Sequence, residues 1–360
     1  MRHTRRHFVE AGRGDAPAGD VEREVQDAAS RKDVRTLLPL TPGGVKFLSR
    51  RYPPVRDAAD LDTLAERLAG LGHRGEFGFS PLFCPRLIDA ACQRGIFPMA
   101  ILVQDSHHLF APKLHHQRCL TQLRPPVKGL PVSSDDSEGK FAAGLLQVSK
   151  KYLSARNENT RARSFDVYIN RKEDIAPALS LIVAQHGESW MCRALRACLA
   201  HMFFNQDSYR TKVVVVAVRR HRYPSDSGGS AGSSHEPVCS FAEGDPVNEG
   251  DLVAAEVGFI AGDIYCSMTG AYSCSGSGTL QLAVTGEAMR IAGCSVWDLG
   301  MDMAYKREVL RCEPLPREHW LLFVREHVAD AAVAEAIERR LREQFSEGVP
   351  VRLLLSHTSR

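Results

Sequence analysis

The sequence predicts an α+β (α/β) fold around a central mixed sheet, and three observations lead there. A strand over 263–267, a Gly/Ser turn, a helix over 279–292 and a strand over 294–298 follow in succession. A helical crossover of that kind joins parallel strands. Two β-branched runs, 211–218 and 252–259, flank a long Ser/Gly-rich stretch and read as antiparallel neighbours joined by an extended loop. The composition, 44% apolar and 25% charged over 360 residues, is that of an ordinary globular protein; it excludes a collagen-like, coiled-coil or wholly disordered chain.

Taken in order, residues 1–35 hold eight Arg/Lys and seven Asp/Glu with few large apolar residues. That composition cannot offset its ordering entropy by burial, and predicts a disordered arm. A small N-terminal subdomain is expected over 36–130. Its first helix carries Leu61, Leu64, Leu68 and Leu71 at helical spacing, and a second follows Ser80-Pro81, with Phe83, Leu87, Ile88 and Ala91 on one face and Gly95 as its stop. The main domain is expected over 144–325, with a solvated insertion at 223–250. Ser189 opens a predicted helix to about Phe204, buried through Met191, Leu195, Cys198, Leu199 and Met202. An appendage over 326–360 ends the chain, with a helix through Val333, Ile337, Leu341 and Phe345 and a strand over 351–355.

The net charge of +3 excludes a uniformly basic nucleic-acid coat. It is an average over opposites, because residues 113–172 hold twelve Lys/Arg against five Asp/Glu, a local +7. No apolar run approaches the roughly 20 residues that cross a bilayer, and Met1–Glu10 lacks the apolar stretch of a secretory signal; a cytoplasmic, membrane-free monomer is expected. The ten cysteines form no C-x-x-C pair and read as buried reduced thiols. The His107/His108 and His115/His116 pairs have no evident partners for a ligand set, so no metal is expected.

Four blocks carry a family resemblance. Gly78-Phe79-Ser80-Pro81 through Arg94-Gly95-Ile96-Phe97-Pro98-Met99 is similar to G-G-x-x-S-P and R-G-I-F-P-W. Leu146-Gln147-Val148-Ser149-Lys150-Lys151 is similar to L-H-I-S-R-S, and Glu188-Ser189-Trp190-Met191 to G-T-W-I. Leu252-Val253 through Ser267, then Val296-Trp297-Asp298 to Glu313-Pro314-Leu315-Pro316-Arg317, is similar to L-V-G-G, L-I-D-C-Q and E-I-P-R-x. In this order, over about residues 75–325, the chain resembles the leucyl/phenylalanyl-tRNA–protein transferases, aminoacyltransferases of acetyltransferase-like (GNAT) fold. It departs from them where the family glutamate falls near Met268 and the family glutamine at Gly300. Cys92 and Leu199 stand at family tyrosines, and Met99 at a tryptophan.

The resemblance implies a GNAT-like fold and transfer of Leu or Phe from aminoacyl-tRNA to the N-terminal amine of acceptor proteins that begin with a basic residue, feeding protein degradation. Aminoacyl-tRNA is then a co-substrate and no cofactor is needed. Such an ester is already activated, so positioning, deprotonation of the amine and stabilisation of the oxyanion suffice. Asp298, at the end of a predicted buried strand, is the candidate to orient or deprotonate the amine; a structural carboxylate bonded to turn amides is the alternative. Met268, Leu280 and Val284 are candidates for an apolar cup for the Leu or Phe side chain, with a plain core stripe as the alternative, and Trp190 is a candidate to stack on the terminal adenine, with a buried core indole as the alternative. Lys150, Lys151, Arg156, Arg161 and Arg163 are expected to contact tRNA phosphates, with a solvated basic loop as the alternative. Gly276 and Gly278 form a candidate phosphate loop, as in acetyl-coenzyme A N-acyltransferases, which are one rival reading. A non-catalytic tRNA-binding relative is another, since Met268 and Gly300 replace family side chains.

Overall fold

The computed structural model describes residues 18–70, 73–103, 107–124, 127–130, 164–221 and 250–356. It opens on α1 (Ala18–Ser30), β1 (Thr36–Leu37), α2 (Pro42–Ser49) and α3 (Ala58–Ala69). Asp57 caps α3 by accepting from the Ala59 and Asp60 amides at 3.0 and 3.1 Å, and Leu61, Leu64 and Leu68 form its buried stripe. β2 (Leu82–Phe83) leads to α4 (Pro85–Cys92), which starts on a proline, as a first helical turn tolerates. β3 (Ala100–Leu102) pairs with β4 (His108–Phe110), and β5 (Gln117–Gln122) enters the main sheet.

After β6 (Phe165–Ile169) come α5 (Ile175–His186), α6 (Arg193–Phe204), β7 (Lys212–Arg220), β8 (Leu252–Ala261) and β9 (Ile264–Tyr272). Then follow α7 (Ser277–Ala292), β10 (Val296–Asp298), α8 (Ala304–Leu310), β11 (Glu313–Pro316) and α9 (Arg317–His327). α10 (Ala331–Phe345), β12 (Val349–Pro350) and α11 (Val351–Ser356) close the chain.

Eight strands form one mixed sheet in the order β11-β5-β10-β9-β8-β7-β6-β12. The predicted antiparallel pair is β7/β8, and the predicted parallel pair is β9/β10 across the α7 crossover. Alternation along β7 sends Val213 and Val215 to one core and Val214, Val216 and Val218 to the other. Each valine so buried stabilises the fold by about 1.5–3 kcal/mol, which makes β7 a central beam of the sheet. α1, α4, α5 and α6 supply the first core, and α7, α10 and α11 the second.

Several expectations are corrected. The second half of the expected disordered arm is α1, whose Val21, Val25 and Ala28 are buried in the first core. Glu24 on that helix reaches the fully buried Arg196 at 2.8 Å. The arm's charges mask this stripe in the composition. The expected subdomain over 36–130 gives β5 to the central sheet, between β10 and β11. The final segment is a helix and not a strand, because Val351, Leu354 and Leu355 bury at helical spacing, and β12 makes that end part of the same sheet. Cys119 and Cys312 are joined in a disulfide, their Cα atoms 5.5 Å apart; the β5/β11 pairing brings them together, so not every cysteine is a reduced thiol. Among the described residues, no helix is long and apolar enough to cross a membrane.

Candidate active site

β9 and β10 run together only from Ile264↔Val296 to Cys266↔Asp298. β10 then stops, β9 continues to Tyr272, and the chain turns through 273–276 into α7. Space opens beyond the carboxyl ends of parallel strands, where ligands bind in open α/β sheets. Here it is a cleft of about 450 Å³, lined among others by Glu256, Ser267, Met268, Gly276, Tyr305 and Lys306.

Glu256 is the centre of its polar wall. It projects from the middle of β8 and is 1% exposed. One carboxylate oxygen accepts from the Tyr265 hydroxyl at 2.6 Å and the Ser267 hydroxyl at 2.5 Å. The other accepts from the Gln281 amide, which also reaches Thr285 Oγ1 at 2.9 Å. The Trp297 indole donates to Ser267 Oγ at 2.7 Å. Burial pushes the Glu256 carboxyl above the usual carboxylate range, and the hydrogen bonds from Ser267, Tyr265 and Gln281 only partly oppose this.

Lys306 comes to the cleft from α8 and donates to the carbonyls of Leu299 and Met301 at 2.5 and 3.0 Å. Burial draws its ammonium below the usual lysine range against the attraction of Asp298. Tyr272 and Tyr305 also line the cleft while 50% and 46% exposed.

The turn into α7 explains both glycines of the expected phosphate loop. Gly276 has φ +87°, a left-handed conformation suited to glycine. A Cβ on Gly278 would lie 2.7 Å from the Tyr272 ring. Both residues line the cleft.

Asp298 does not line it. Its carboxylate is 1% exposed and held by Arg118, whose Nε lies 3.0 and 3.1 Å from the two oxygens and whose Nη2 closes the pair. The Gly300 amide donates to Asp298 Oδ1 at 2.9 Å, as the structural alternative anticipated, and Gly300 has φ +75°. A glutamine there would be strained. Arg118 also donates to His115 Nδ1 at 2.7 Å and to Cys266 Sγ at 3.3 Å. Burial and the adjacent guanidinium keep the His115 imidazole neutral. The gap around Asp298, about 10 Å³, is bounded by Gly95, Ile96, Phe97 and Trp320 and has room for no more than a water.

The expected apolar cup is only partly assembled. Met268 lines the cleft, but Leu280 and Val284 are fully buried in the second core. The sheet takes that face of α7 and turns Gln281 and Leu282 to the cleft instead. Trp190 is not among the residues lining the cleft; it is half-buried before α6, its ring 6.0 Å from Phe97. Lys150, Lys151, Arg156, Arg161 and Arg163 lie outside the described residues.

Glu256, Gln281, Lys306 and Arg118 were not singled out by sequence reasoning. Glu256 had a usable signal: it is a lone carboxylate inside an apolar β-branched run, where a charge needs partners or a function. Arg118 had none, because its partner is 180 residues away. No protein-family model matches the chain, and no curated protein matches it.

Proposed function

We propose that the chain is an aminoacyltransferase that moves Leu or Phe from aminoacyl-tRNA to the N-terminal amine of acceptor proteins beginning with a basic residue, and thereby feeds N-terminal-residue-dependent protein degradation. The observation that carries this reading is the parting of β9 and β10, which leaves a cleft with the buried Glu256 carboxylate and its neutral donors on one side and the glycine turn of α7 on the other. The family resemblance adds the substrate class, since its fourth block contains this strand pair.

An aminoacyl ester and an amine need alignment, an oxyanion donor and a route for one proton. Lys306 has three N–H donors and gives two to carbonyls, which leaves one for an oxyanion in the cleft. Tyr272 and Tyr305 offer exposed rings to the unpaired terminal adenosine, the part first expected of Trp190. Met268 and Leu282 offer apolar surface to the Leu or Phe side chain. Within the basic segment over 113–172, Lys150, Lys151, Arg156, Arg161 and Arg163 supply charge for tRNA phosphates, whereas Arg118 spends its charge on Asp298. Replacing Lys150 and Lys151 by Gln then weakens tRNA binding and flattens its salt dependence.

A second reading, transfer from a coenzyme A thioester, is favoured by the left-handed Gly276 at the start of α7 in the same cleft. Labelled Leu-tRNA and labelled acetyl-coenzyme A, each incubated with the full chain and an Arg-starting peptide, separate the two. Label passing to the peptide from Leu-tRNA supports the first reading. Label passing only from acetyl-coenzyme A supports the second, and from neither donor rejects both.

A further inference from the structure

The Ser267 hydroxyl has a single proton and two lone pairs. The proton is directed to Glu256 Oε1 at 2.5 Å, and one lone pair receives the Trp297 indole N–H at 2.7 Å. One lone pair remains, on a half-buried residue that lines the cleft. Behind it, Glu256 is fully buried and its hydrogen-bond donors, Tyr265, Ser267 and Gln281, are all neutral. A carboxylate so placed is costly as a charge, which favours taking up a proton. Met268, where the resembling family has its glutamate, is the residue next to Ser267, and Glu256 lies on the adjacent strand β8.

We propose that Ser267 and Glu256 form the proton relay of the transfer reaction, with Ser267 the catalytic residue that touches the amine and Glu256 the residue that acts through it. The inference rests on the aminoacyl-transfer reading. The acceptor ammonium first gives one proton to water. Its nitrogen attacks the ester carbonyl carbon, forming the C–N bond, and the carbonyl electron pair moves onto the oxygen. The nitrogen then passes a proton to Ser267 Oγ as Ser267 passes its own to Glu256. The C–O bond to the ribose breaks as the oxyanion re-forms the carbonyl, and the leaving ribose oxygen takes that proton back along the same path. An amide and a free hydroxyl result, with Ser267 and Glu256 as they began. Gln281 and Trp297 are positioning residues that hold the two members in line.

The test uses the full chain, Leu-tRNA and an Arg-starting peptide, with kcat and KM for the charged tRNA measured separately. Ser267→Ala and Glu256→Gln each lower kcat by about 10²–10³-fold, as loss of a general base does, with KM within about threefold of wild type. The double variant is no slower than the worse single one, because members of one unit are not additive. Ser267→Thr keeps the hydroxyl and restores most of the rate. Should Glu256→Gln fail to fold by circular dichroism, the Ser267 series carries the test. Wild-type transfer with kcat unchanged in Ser267→Ala overturns the relay and leaves the reading intact. Absence of transfer by the wild type overturns the reading and the relay with it.

Discussion

Asp298 and Arg118, 180 residues apart in the chain, meet as an ion pair with both side chains 1% exposed. The guanidinium lies 5.7 and 5.4 Å from the centres of the Phe97 and Trp320 rings and carries His115 and Cys266 on its remaining N–H groups. The pair ties β5 to the end of β10, at the point from which the cleft opens. Removing one member leaves a buried charge alone, which costs about 3–5 kcal/mol. Asp298→Ala is therefore expected to lose that much in urea unfolding. The double variant with Arg118→Leu recovers a large part, since an apolar replacement for a buried pair is often neutral. An Asp298→Ala variant that unfolds at the wild-type midpoint would refute this account. Transfer by Asp298→Asn, normalised to folded protein, should fall less than transfer by Ser267→Ala.

The sheet was legible because its signals are local. The β7 valines, the β8 run and the α7 crossover each announce themselves within about ten residues, and the parallel and antiparallel pairings follow from how they are connected. The site was legible in part. The strand pair and the glycine turn were marked by pattern, whereas Leu280 and Val284 lie on the helix that borders the cleft but on the face that the sheet covers, since periodicity reveals a stripe and not which neighbour will claim it. α1 was hidden for a related reason: Val21, Val25 and Ala28 are spaced for one helical face, but charge on the other faces dominates any average over the segment. Long-range partners such as Arg118 for Asp298, or Cys312 for Cys119, are decided by tertiary pairing alone.

The His327–Asp263 pair predicts a pH dependence of stability. Burial alone would lower the His327 imidazole, but the hydrogen bonds it donates to Asp263 at 2.7 Å and to the Lys128 carbonyl at 3.1 Å, with the charges of Asp263 and Glu326, together outweigh it, and the net shift is upward. Between the unfolded value near 6.5 and that raised value the folded state binds more protons than the unfolded one. The histidine's contribution is therefore complete below about pH 6.5, as long as Asp263 stays ionised, and is lost as pH climbs through the raised value. Urea unfolding from pH 6 to 9 should show wild type and His327→Gln converging as pH rises. A gap between them that stays constant with pH would contradict the assignment.

Gly262, in the β8–β9 turn, makes that pair possible. Its φ is +59°, and a Cβ there would lie 1.9 Å from the His327 carbonyl oxygen, so α9 rests its last turn directly on the glycine. Gly262→Ala is expected to destabilise by at least about 1–3 kcal/mol from backbone strain alone. It should also push α9 away, so that the His327-dependent slope above pH 6.5 flattens in this variant. Thermal unfolding at pH 6 and pH 8.5 measures both effects, and an alanine variant with the wild-type slope would mean that the helix end does not move.

In the proposed transfer, Lys306 connects the fold to the chemistry. α8, which carries it, is held to β5 through Thr121 Oγ1, which donates to the Leu310 carbonyl at 3.1 Å, and its ammonium is fixed by two carbonyls at the end of β10. A donor so restrained is organised before the oxyanion forms, and loss of one such donor costs about 10²–10³ in kcat. Lys306→Met is expected to show that loss with little change in KM. Because burial holds this ammonium below the usual lysine range, wild-type kcat should decline as pH rises through its titration, before free lysine would lose its proton. Asp298, Cys266, Glu256 and Tyr305 are titratable groups that act on or lie beside it, so the limb belongs to Lys306 only if Lys306→Met abolishes it while Tyr305→Phe keeps it.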